Sequence, residues 1–325
     1  MHLQKYILRR TLEIVVTLFI IITLLFILFR LAPGDPTSMI IDPDMTPEDI
    51  EHFRDAFGLN DSLSVQYFKY LTNIIKGEFG NSFHYDEPVL GIIKEKLLNT
   101  ILLFTTATLL AAFAGISWGK YLAWRRGTFT EATITFAGLL LHTIFVPWFA
   151  LLAIWIFGFK LGWFPLNGMM TPEIWLNPDS GIFYKALDVI HHMMLPLFVL
   201  FTVDFSRSML VMKSSMLDTL REDYIVTAKA KGLKDRIIRN KHAAKNAMLP
   251  VVTSVSLSIA FSINGSALTE TVFSWPGLGR ELVFAVSNND YPLAQASFLL
   301  ISGLVLVANL VSDILYAYLD PRIKY

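Results

Sequence analysis

Long apolar runs alternate with charged connections along the whole chain. A helix of about 20 apolar residues crosses the hydrocarbon core of a bilayer, and six runs of the sequence reach that length. They cover residues 8–31, 100–123, 133–157, 190–211, 251–273 and 293–319. The pattern therefore predicts an all-α polytopic membrane protein with six transmembrane helices.

The charges between these runs alternate in sign, which predicts the orientation. Segment 213–245 carries nine Lys and Arg against four Asp and Glu, whereas segment 32–98 carries five basic and twelve acidic residues. The N-terminal flank, the connection between the second and third runs, and the tail are basic, and the other two connections are acidic. Because short basic loops stay in the cytoplasm, both termini and segment 213–245 are predicted to be cytoplasmic.

The acidic segment after the first run has helical patterns of its own. Thr46 followed by Pro47 predicts a helix start, with an end near Gly58, and apolar residues at helical spacing predict a second helix over 64–75. This extension either covers the outer ends of the helices or meets an external partner.

The charge pattern and the apolar runs divide the chain into two parts. Residues 1–98 hold the first helix and the extension, and 99–325 a core domain with five transmembrane helices and a cytoplasmic loop at about 213–248.

The basic segment between the fourth and fifth runs is too long and too helical for a simple turn. Its pattern predicts two short helices, over 223–231 and 234–247, separated at Gly232, because glycine adopts backbone conformations that other residues avoid. A loop that only lies on anionic lipid needs no such turn. The pattern therefore favours docking of a cytoplasmic partner over lipid binding.

Composition narrows the class of protein. Of the 325 residues, 54% are apolar and only 17% are charged. The formal net charge is zero, so the chain has no overall field that would attract nucleic acid. The absence of cysteine excludes disulfides, thiolate catalysis and cysteine-ligated metals. The first apolar run exceeds a signal-peptide core and no cleavage site follows it, so it is predicted to remain as a membrane anchor.

The basic segment resembles the EAA loop of ABC-transporter permeases, in the form found in the dipeptide/oligopeptide/nickel family. Its general Glu-Ala-Ala start is replaced here by Val226-Thr227-Ala228, and the spacing from Gly232 to Pro250 is longer than usual. The similarity extends over nearly the whole chain, in the family's order. It includes Pro33-Gly34-Asp35-Pro36, Gly80 with Ser82, Ala230-Lys231-Gly232-Leu233, Trp275-Pro276-Gly277-Leu278-Gly279, Asp290 with Pro292, and Asn309 with Asp313.

The resemblance implies a type I ABC permease, the B-type subunit of a binding-protein-dependent importer in the inner or plasma membrane of a prokaryote. Implied partners are a second homologous permease subunit, two cytoplasmic ATPase subunits and an external solute-binding protein. The implied cargo is a di- or oligopeptide, with nickel chelates or oligosaccharides as alternatives. It also implies an ATPase-coupling site made of Glu222, Asp223, Tyr224, Thr227, Ala228, Ala230, Lys231, Gly232 and Leu233.

No cofactor is expected in this chain. A GxxxxGK[ST] stretch is absent from the sequence, so ATP and magnesium are expected on the partner ATPase subunits, and the chain itself is not expected to be an enzyme. A secondary transporter remains the alternative from another class, although the sequence shows no internal repeat. An intramembrane metalloenzyme is disfavoured because no HExxH spacing occurs.

Polar residues in the fifth run suggest a pathway, with plain helix packing as the alternative. The candidates for the pathway or the outer gate are Ser258, Ser262, Asn264, Gly265, Glu270, Trp275, Pro276 and Gly277. The glycine and proline residues between Trp275 and Gly279 predict a fixed re-entering turn rather than a mobile one.

Other polar residues are read as structural. Asp204 and Arg207 lie one helical turn apart and are expected to pair, and Asp313 with Asn309 is expected to bond between helices. Asp188 with His191 and His192 has a spacing that suits a metal, but interfacial histidines are the favoured interpretation and no metal site is predicted.

Overall fold

The computed structural model describes residues 3–31, 61–262 and 267–319, and helices dominate these ranges. In chain order they are α1 (Leu3–Leu31), α2 (Leu63–Lys76), α3 (Val89–Trp124), α4 (Phe129–Thr143), α5 (Val146–Ala153), α6 (Pro172–Leu176), α7 (Ile182–Thr219), α8 (Asp223–Ala230), α9 (Asp235–Ile237), α10 (Ala244–Ser262), α11 (Ala267–Val272), α12 (Leu278–Ser287) and α13 (Tyr291–Leu319). Two π-helical turns, Ile154–Lys160 and Ile238–Ala243, continue α5 and α9.

Four helices of the described part are long and apolar enough to cross a membrane: α1, α3, α7 and α13. A fifth crossing arises if α4 and the α5 segment form one span, bent by 102°. The span predicted over 133–157 is therefore not one continuous helix. Pro147 lies in the first turn of α5, and a proline ring clashes with the carbonyl four residues earlier, so α4 ends at Thr143. The fold class, an all-α polytopic membrane protein, is confirmed.

The fifth predicted span, 251–273, also differs from the structure. Its helix α10 starts earlier, at Ala244, and contains Pro250. The described chain resumes with the short helix α11, and residues 263–266 between them lie outside the described part. In the outer extension, the helix predicted over 64–75 is confirmed as α2, whereas the one predicted to start at Thr46 lies outside the described residues.

The first and last helices are antiparallel neighbours. Arg10, near the start of α1, donates from Nε to Asp313 Oδ2, near the end of α13, at 2.6 Å. At the opposite ends, the rings of Phe29 and Tyr291 lie 5.7 Å apart. The start of α1 and the end of α13 therefore share one side, as the charge pattern predicts. The bond also gives Asp313 its partner, a cation from another helix.

The centre of the bundle is the contact between α3 and α7. Gly115 and Gly119 of α3 are both buried. A Cβ atom added at Gly119 would lie 2.6 Å from Met212 Cβ and 2.7 Å from the Met209 carbonyl oxygen. These two glycines let the helix backbones approach closely, as small residues spaced four apart do in membrane proteins. The helix α3 begins at Val89, so the predicted division between residues 98 and 99 falls inside it.

The outer segment is tied to the start of the last helix. Residues 81–88 form a tight hairpin in which Ser82 N donates to the Glu87 carbonyl at 2.9 Å. The buried Asp290 accepts hydrogen bonds from the hydroxyl of Ser82 and from His84 N. It also accepts from Leu293 N at 3.3 Å, in the first turn of α13. One carboxylate thus caps a transmembrane helix and holds the hairpin.

Candidate functional site

The candidate coupling site is centred on α8, at the same end of the bundle as Arg10. Its helix is favoured locally, because Asp223 occupies the first turn and Lys229 the last, and both charges complement the helix dipole. Ile225 and Ala228 are buried. They join a cluster contributed by α7, the π-helical turn and α10: Met212, Met216, Ile238, Ala243 and Ala247. The sequence prediction missed Ile225, the largest of the side chains that fix α8.

The opposite face of α8 is presented to solvent. Of the nine residues predicted to couple to an ATPase, Ala228 is buried and Leu233 half-buried, and the others are exposed: Glu222, Asp223, Tyr224, Thr227, Ala230, Lys231 and Gly232. Val226 lies among them with 61% of its surface exposed. An apolar centre within a charged rim is the usual make-up of a protein-binding surface.

Tyr224 is held in place from the neighbouring helix. Asn246 Nδ2 donates a hydrogen bond to the Tyr224 hydroxyl at 2.7 Å, and the tyrosine remains 37% exposed. The aromatic side chain of Tyr224 is thus already oriented by α10 before any partner is present. A preordered aromatic side chain loses little conformational freedom on binding.

Gly232 forms the turn that the sequence predicted. Its φ angle is +70°, in the left-handed region that glycine adopts without strain. Its N–H donates to the Lys229 carbonyl at 2.9 Å, and Leu233 N donates to the Ala228 carbonyl at 3.4 Å. Both bonds together form the Schellman end of a helix.

The second predicted coupling helix does not exist as a separate element. A short helix, α9, passes through the π-helical turn directly into α10. Helix α8 is therefore joined to a membrane helix on both sides, to α7 by residues 220–222 and to the α9–α10 run by residues 231–234. The prediction of an independent helix over 234–247 is wrong because Pro250, which separates it from the apolar run that follows, lies inside α10 and does not end the helix.

The candidate outer gate is a rigid turn at the other end of the bundle. Glu270 and Trp275 are fully buried. The Glu270 carboxylate accepts from Thr100 Oγ1 at 2.7 Å and from Arg280 N at 2.9 Å. Trp275 Nε1 donates to the Asn99 carbonyl at 3.0 Å. The turn is thus fixed to α3, which agrees with the prediction of a fixed segment.

Glycines in this turn make room for the carboxylate. A Cβ at Gly277 would lie 2.3 Å from Glu270 Oε1, and one at Gly279 would lie 2.8 Å from Ala267 Cα. Asn99 Nδ2 donates to the Pro276 carbonyl at 3.0 Å, so backbone and side chains interlock. Because Glu270 and Trp275 are buried, both have a structural role in this conformation. Their role in gating stays a prediction.

The remaining pathway candidates are only partly described. Ser258 is half-buried, and its hydroxyl donates to the Ser254 carbonyl one turn earlier at 3.0 Å. Ser262 closes α10, whereas Asn264 and Gly265 lie outside the described residues. The pathway assignment therefore stays a prediction as well.

Two polar groups of α7 have partners that the sequence did not indicate. No ion pair within 4.0 Å joins Asp204 to Arg207 in the described structure, and Asp204 Oδ2 instead accepts from Thr108 Oγ1 of α3 at 3.4 Å. The expected intrahelical pair is therefore wrong. Asp188 accepts from Thr171 N at 2.8 Å and from Trp175 Nε1 at 3.0 Å, so its carboxylate anchors the connection before α7.

A second buried carboxylate lies beside the outer hairpin. Glu281 of α12 is buried, and its Oε1 has no hydrogen-bond partner in the described part. Burial raises the pKa of this carboxyl, against the opposing effects of Tyr85, Lys96 and Arg280. Burial, together with the neighbouring Glu281, also raises the pKa of the Tyr85 phenol to about 12. The site therefore favours the neutral form of Glu281 more strongly than water does.

Replacing Glu281 by glutamine is expected to stabilise the protein at alkaline pH. Because folding raises the pKa of this carboxyl, its contribution to stability is complete below its ordinary pKa. That contribution is lost as pH rises through the raised pKa. The melting temperature of Glu281→Gln should exceed that of the parent by a few degrees at about pH 8. The gap should close near pH 4.5, the ordinary pKa of the group.

The matched control is Glu95→Gln, because the Glu95 side chain is 70% exposed and lies on the adjacent α3. It should leave the melting temperature unchanged at both pH values. An equal or lower melting temperature for Glu281→Gln at pH 8 would show that the buried carboxylate is stabilised as an anion.

Comparison with known proteins covers the whole chain. Residues 88–325 match the family model described as binding-protein-dependent transport system inner membrane component. Residues 3–104 match the model of the N-terminal part of such membrane components. The two matches overlap within α3, the helix that carries the outer turn on Asn99 and Thr100.

Relatives of full length carry names that refer to peptides. The chain is 41% identical over 324 residues to the oligopeptide transport system permease protein AppB of Bacillus subtilis, covering 99% of this chain and all of the relative. It is 34% identical over 336 residues to the di/tripeptide transport system permease protein DppB of Pseudomonas aeruginosa, covering 99% of both. It is 36% identical over 324 residues to the glutathione transport system permease protein GsiC of Salmonella paratyphi A, again covering 99% of both.

Proposed function

Because the chain belongs to the family of binding-protein-dependent transport system inner membrane components, we propose that it is a permease subunit of an ATP-driven peptide importer. It is a multi-pass protein of a bacterial membrane. The transported molecule is a short peptide, which the names of the relatives support over nickel chelates and oligosaccharides. A secondary transporter, the alternative from another class, is disfavoured by the same family membership.

The observation that carries this function is the outward presentation of α8. Its inner side is buried through Ile225 and Ala228, while Tyr224 and Val226 remain available on the surface. A short helix held at both ends fits a groove on a second protein. We assign that groove to a cytoplasmic ATPase subunit, which binds ATP and magnesium and drives this helix.

The complete importer would contain a second, related permease, two ATPase subunits and an external binding protein. The second permease forms the other half of the pathway, so the chain acts as half of a two-part channel. The binding protein delivers the peptide to the outer ends of the helices, near the turn built on Glu270.

Purification and reconstitution of the complex test the proposal. A tagged chain expressed with its neighbouring transport genes should carry ATPase subunits through purification. In proteoliposomes, the binding protein loaded with di- or oligopeptides should stimulate ATP hydrolysis, while the same protein with nickel chelates or oligosaccharides should not. Isolation of the chain alone, with uptake driven by an ion gradient instead of ATP, would contradict the assignment.

A further inference from the structure

The helix α2 of the outer segment has an apolar stripe that no described residue covers. Phe68 is 72% exposed and Ile75 is 85% exposed, and the two lie about two helical turns apart with Leu71 between them. An exposed stripe of large apolar side chains on a folded element marks an interaction surface. The coupling site lies at the other end of the bundle and does not account for it.

The residues of α2 fall into three sectors when they are placed at 100° intervals around the helix axis. The first sector faces the protein and contains Gln66, Tyr67, Tyr70 and Ile74, which are buried or half-buried. The second is apolar and contains Phe68, Leu71 and Ile75. The third is polar and contains Lys69, Asn73 and Lys76, all exposed. A soluble helix that docks on a protein needs only two of these sectors.

The depth of α2 follows from its contacts with the first transmembrane helix. The Tyr67 hydroxyl lies 2.7 Å from Thr23 Oγ1, and the Tyr67 and Tyr70 rings lie 5.1 and 5.6 Å from the Phe26 ring. The apolar span of α1 ends at Arg30. Thr23 and Phe26 therefore lie about 10 and 6 Å short of that end, at about 1.5 Å per residue.

Such a depth lies within the outer part of the hydrocarbon core. An interfacial helix buries its apolar face roughly 5–10 Å into the boundary between headgroups and acyl chains, which matches the level at which α2 contacts α1. At the same level, α1 also exposes apolar side chains, at Leu24, Ile27 and Leu28. A single apolar surface at one level is what lipid would contact.

We propose that α2 lies on the outer leaflet as an interfacial helix. Phe68, Leu71 and Ile75 enter the acyl chains, while the polar sector faces the headgroups and water. Both lysines lie in the polar sector, on the same side of the apolar one, and from there their long stems extend toward lipid phosphates. The Asp61 carboxylate, 2.6 Å from Lys69 Nζ, further orients Lys69. Lipid thus holds the outer segment against α1 and fixes the height of the hairpin that Asp290 binds.

Spin labelling tests the proposal cleanly because the chain contains no cysteine. Phe68→Cys and Ile75→Cys place a nitroxide on the apolar sector, and Lys69→Cys and Lys76→Cys are the matched controls on the same helix. The full chain with its partner subunits is reconstituted in vesicles of phosphatidylethanolamine and phosphatidylglycerol. Relaxation of each nitroxide is then measured with oxygen, which concentrates in acyl chains, and with chromium oxalate, which stays in water.

The logarithm of the oxygen to chromium oxalate ratio is expected to be positive at positions 68 and 75 and negative at 69 and 76. Strong relaxation by chromium oxalate at 68 and 75 would mean that the stripe faces water, free for a soluble partner, and would overturn the proposal. Weak relaxation by both agents at 68 and 75 would also overturn it, since a protein such as the second permease would then cover the stripe. A failure of peptide transport would contradict the proposed function but would not bear on whether α2 lies in the lipid.

Discussion

Replacing Gly232 by proline is expected to abolish ATP-driven uptake while leaving the chain inserted in the membrane. The residue has a φ angle of +70°, and proline holds φ near −65°. Proline also removes the N–H that donates to the Lys229 carbonyl. The end of α8 must then unwind or turn elsewhere, so the surface around Tyr224 and Val226 loses its position relative to the bundle.

Two measurements separate coupling from folding. Uptake of a labelled peptide and peptide-stimulated ATP hydrolysis should both fall to background in Gly232→Pro, whereas the amount of chain in the membrane should equal that of the parent. Gly232→Asn is the control, because asparagine tolerates the left-handed region and no atom of the described residues lies within 4 Å of the position where its Cβ would be. It should retain most activity. Normal uptake by the proline variant would refute the assignment of α8 as the coupling helix.

The connections of α8 explain why a local change should act over the whole bundle. Ile225 and Ala228 share one packed cluster with Met212 and Met216 of α7 and with Ala247 of α10. Packed interiors do not deform gradually, so we expect a force on α8 to move α7 and α10 together. Ser215 Oγ also donates to the Ala247 carbonyl at 2.7 Å, which ties these two helices beside the cluster. If α8 is the coupling helix, we therefore expect these two membrane helices to shift as one unit.

Much of this architecture could be predicted from the sequence. Hydropathy alone located the four long apolar helices, and helical spacing located α2. The turn at Gly232 was predictable because glycine there follows a short helix with a charge at each end. These features depend on residues near each other in the chain, which is the information that patterns contain.

Bent and merged helices could not be predicted in the same way. A hydropathy window averages over Pro147, so the run 133–157 looked like one span although the signal for a break was present. The merger of α9 with α10 depends on the π-helical turn Ile238–Ala243, which has no clear sequence signature. To predict such details, one has to know which side chains pack around the helix.

Interactions between residues that are distant in sequence could not be predicted either. Spacing suggested Arg207 as the partner of Asp204, but the bond comes from Thr108 on another helix. In the same way, Lys213 of α7 pairs with Glu131 of α4, and neither residue lies near the other in the chain. A periodic pattern shows which residues share a face and not which helix lies opposite that face.

The close contact of α3 with α7 predicts that Gly119→Ala will strongly reduce the stability of the folded protein. The added methyl group would lie 2.7 Å from the Met209 carbonyl oxygen and 3.0 Å from Lys213 N. Both are backbone atoms of a 38-residue helix, so neither can yield without moving α7. Overpacking of this kind costs about 1–3 kcal/mol or more. Gly115→Ala should act alike, because its methyl would lie 2.9 Å from Met209 N.

The opposite result is expected for the same substitution at Gly303. This residue lies inside α13, and among the described residues a Cβ there would meet only Leu18 Cδ2, at an ordinary 3.9 Å. Since alanine favours a helix over glycine by up to about 1 kcal/mol, Gly303→Ala should leave stability unchanged or raise it. Thermal unfolding in detergent, followed by the loss of monodisperse protein, measures all three variants. Equal melting temperatures for Gly119→Ala and Gly303→Ala would mean that the two helices are not in backbone contact, and the packing at the centre of the bundle would have to be rebuilt around a wider separation.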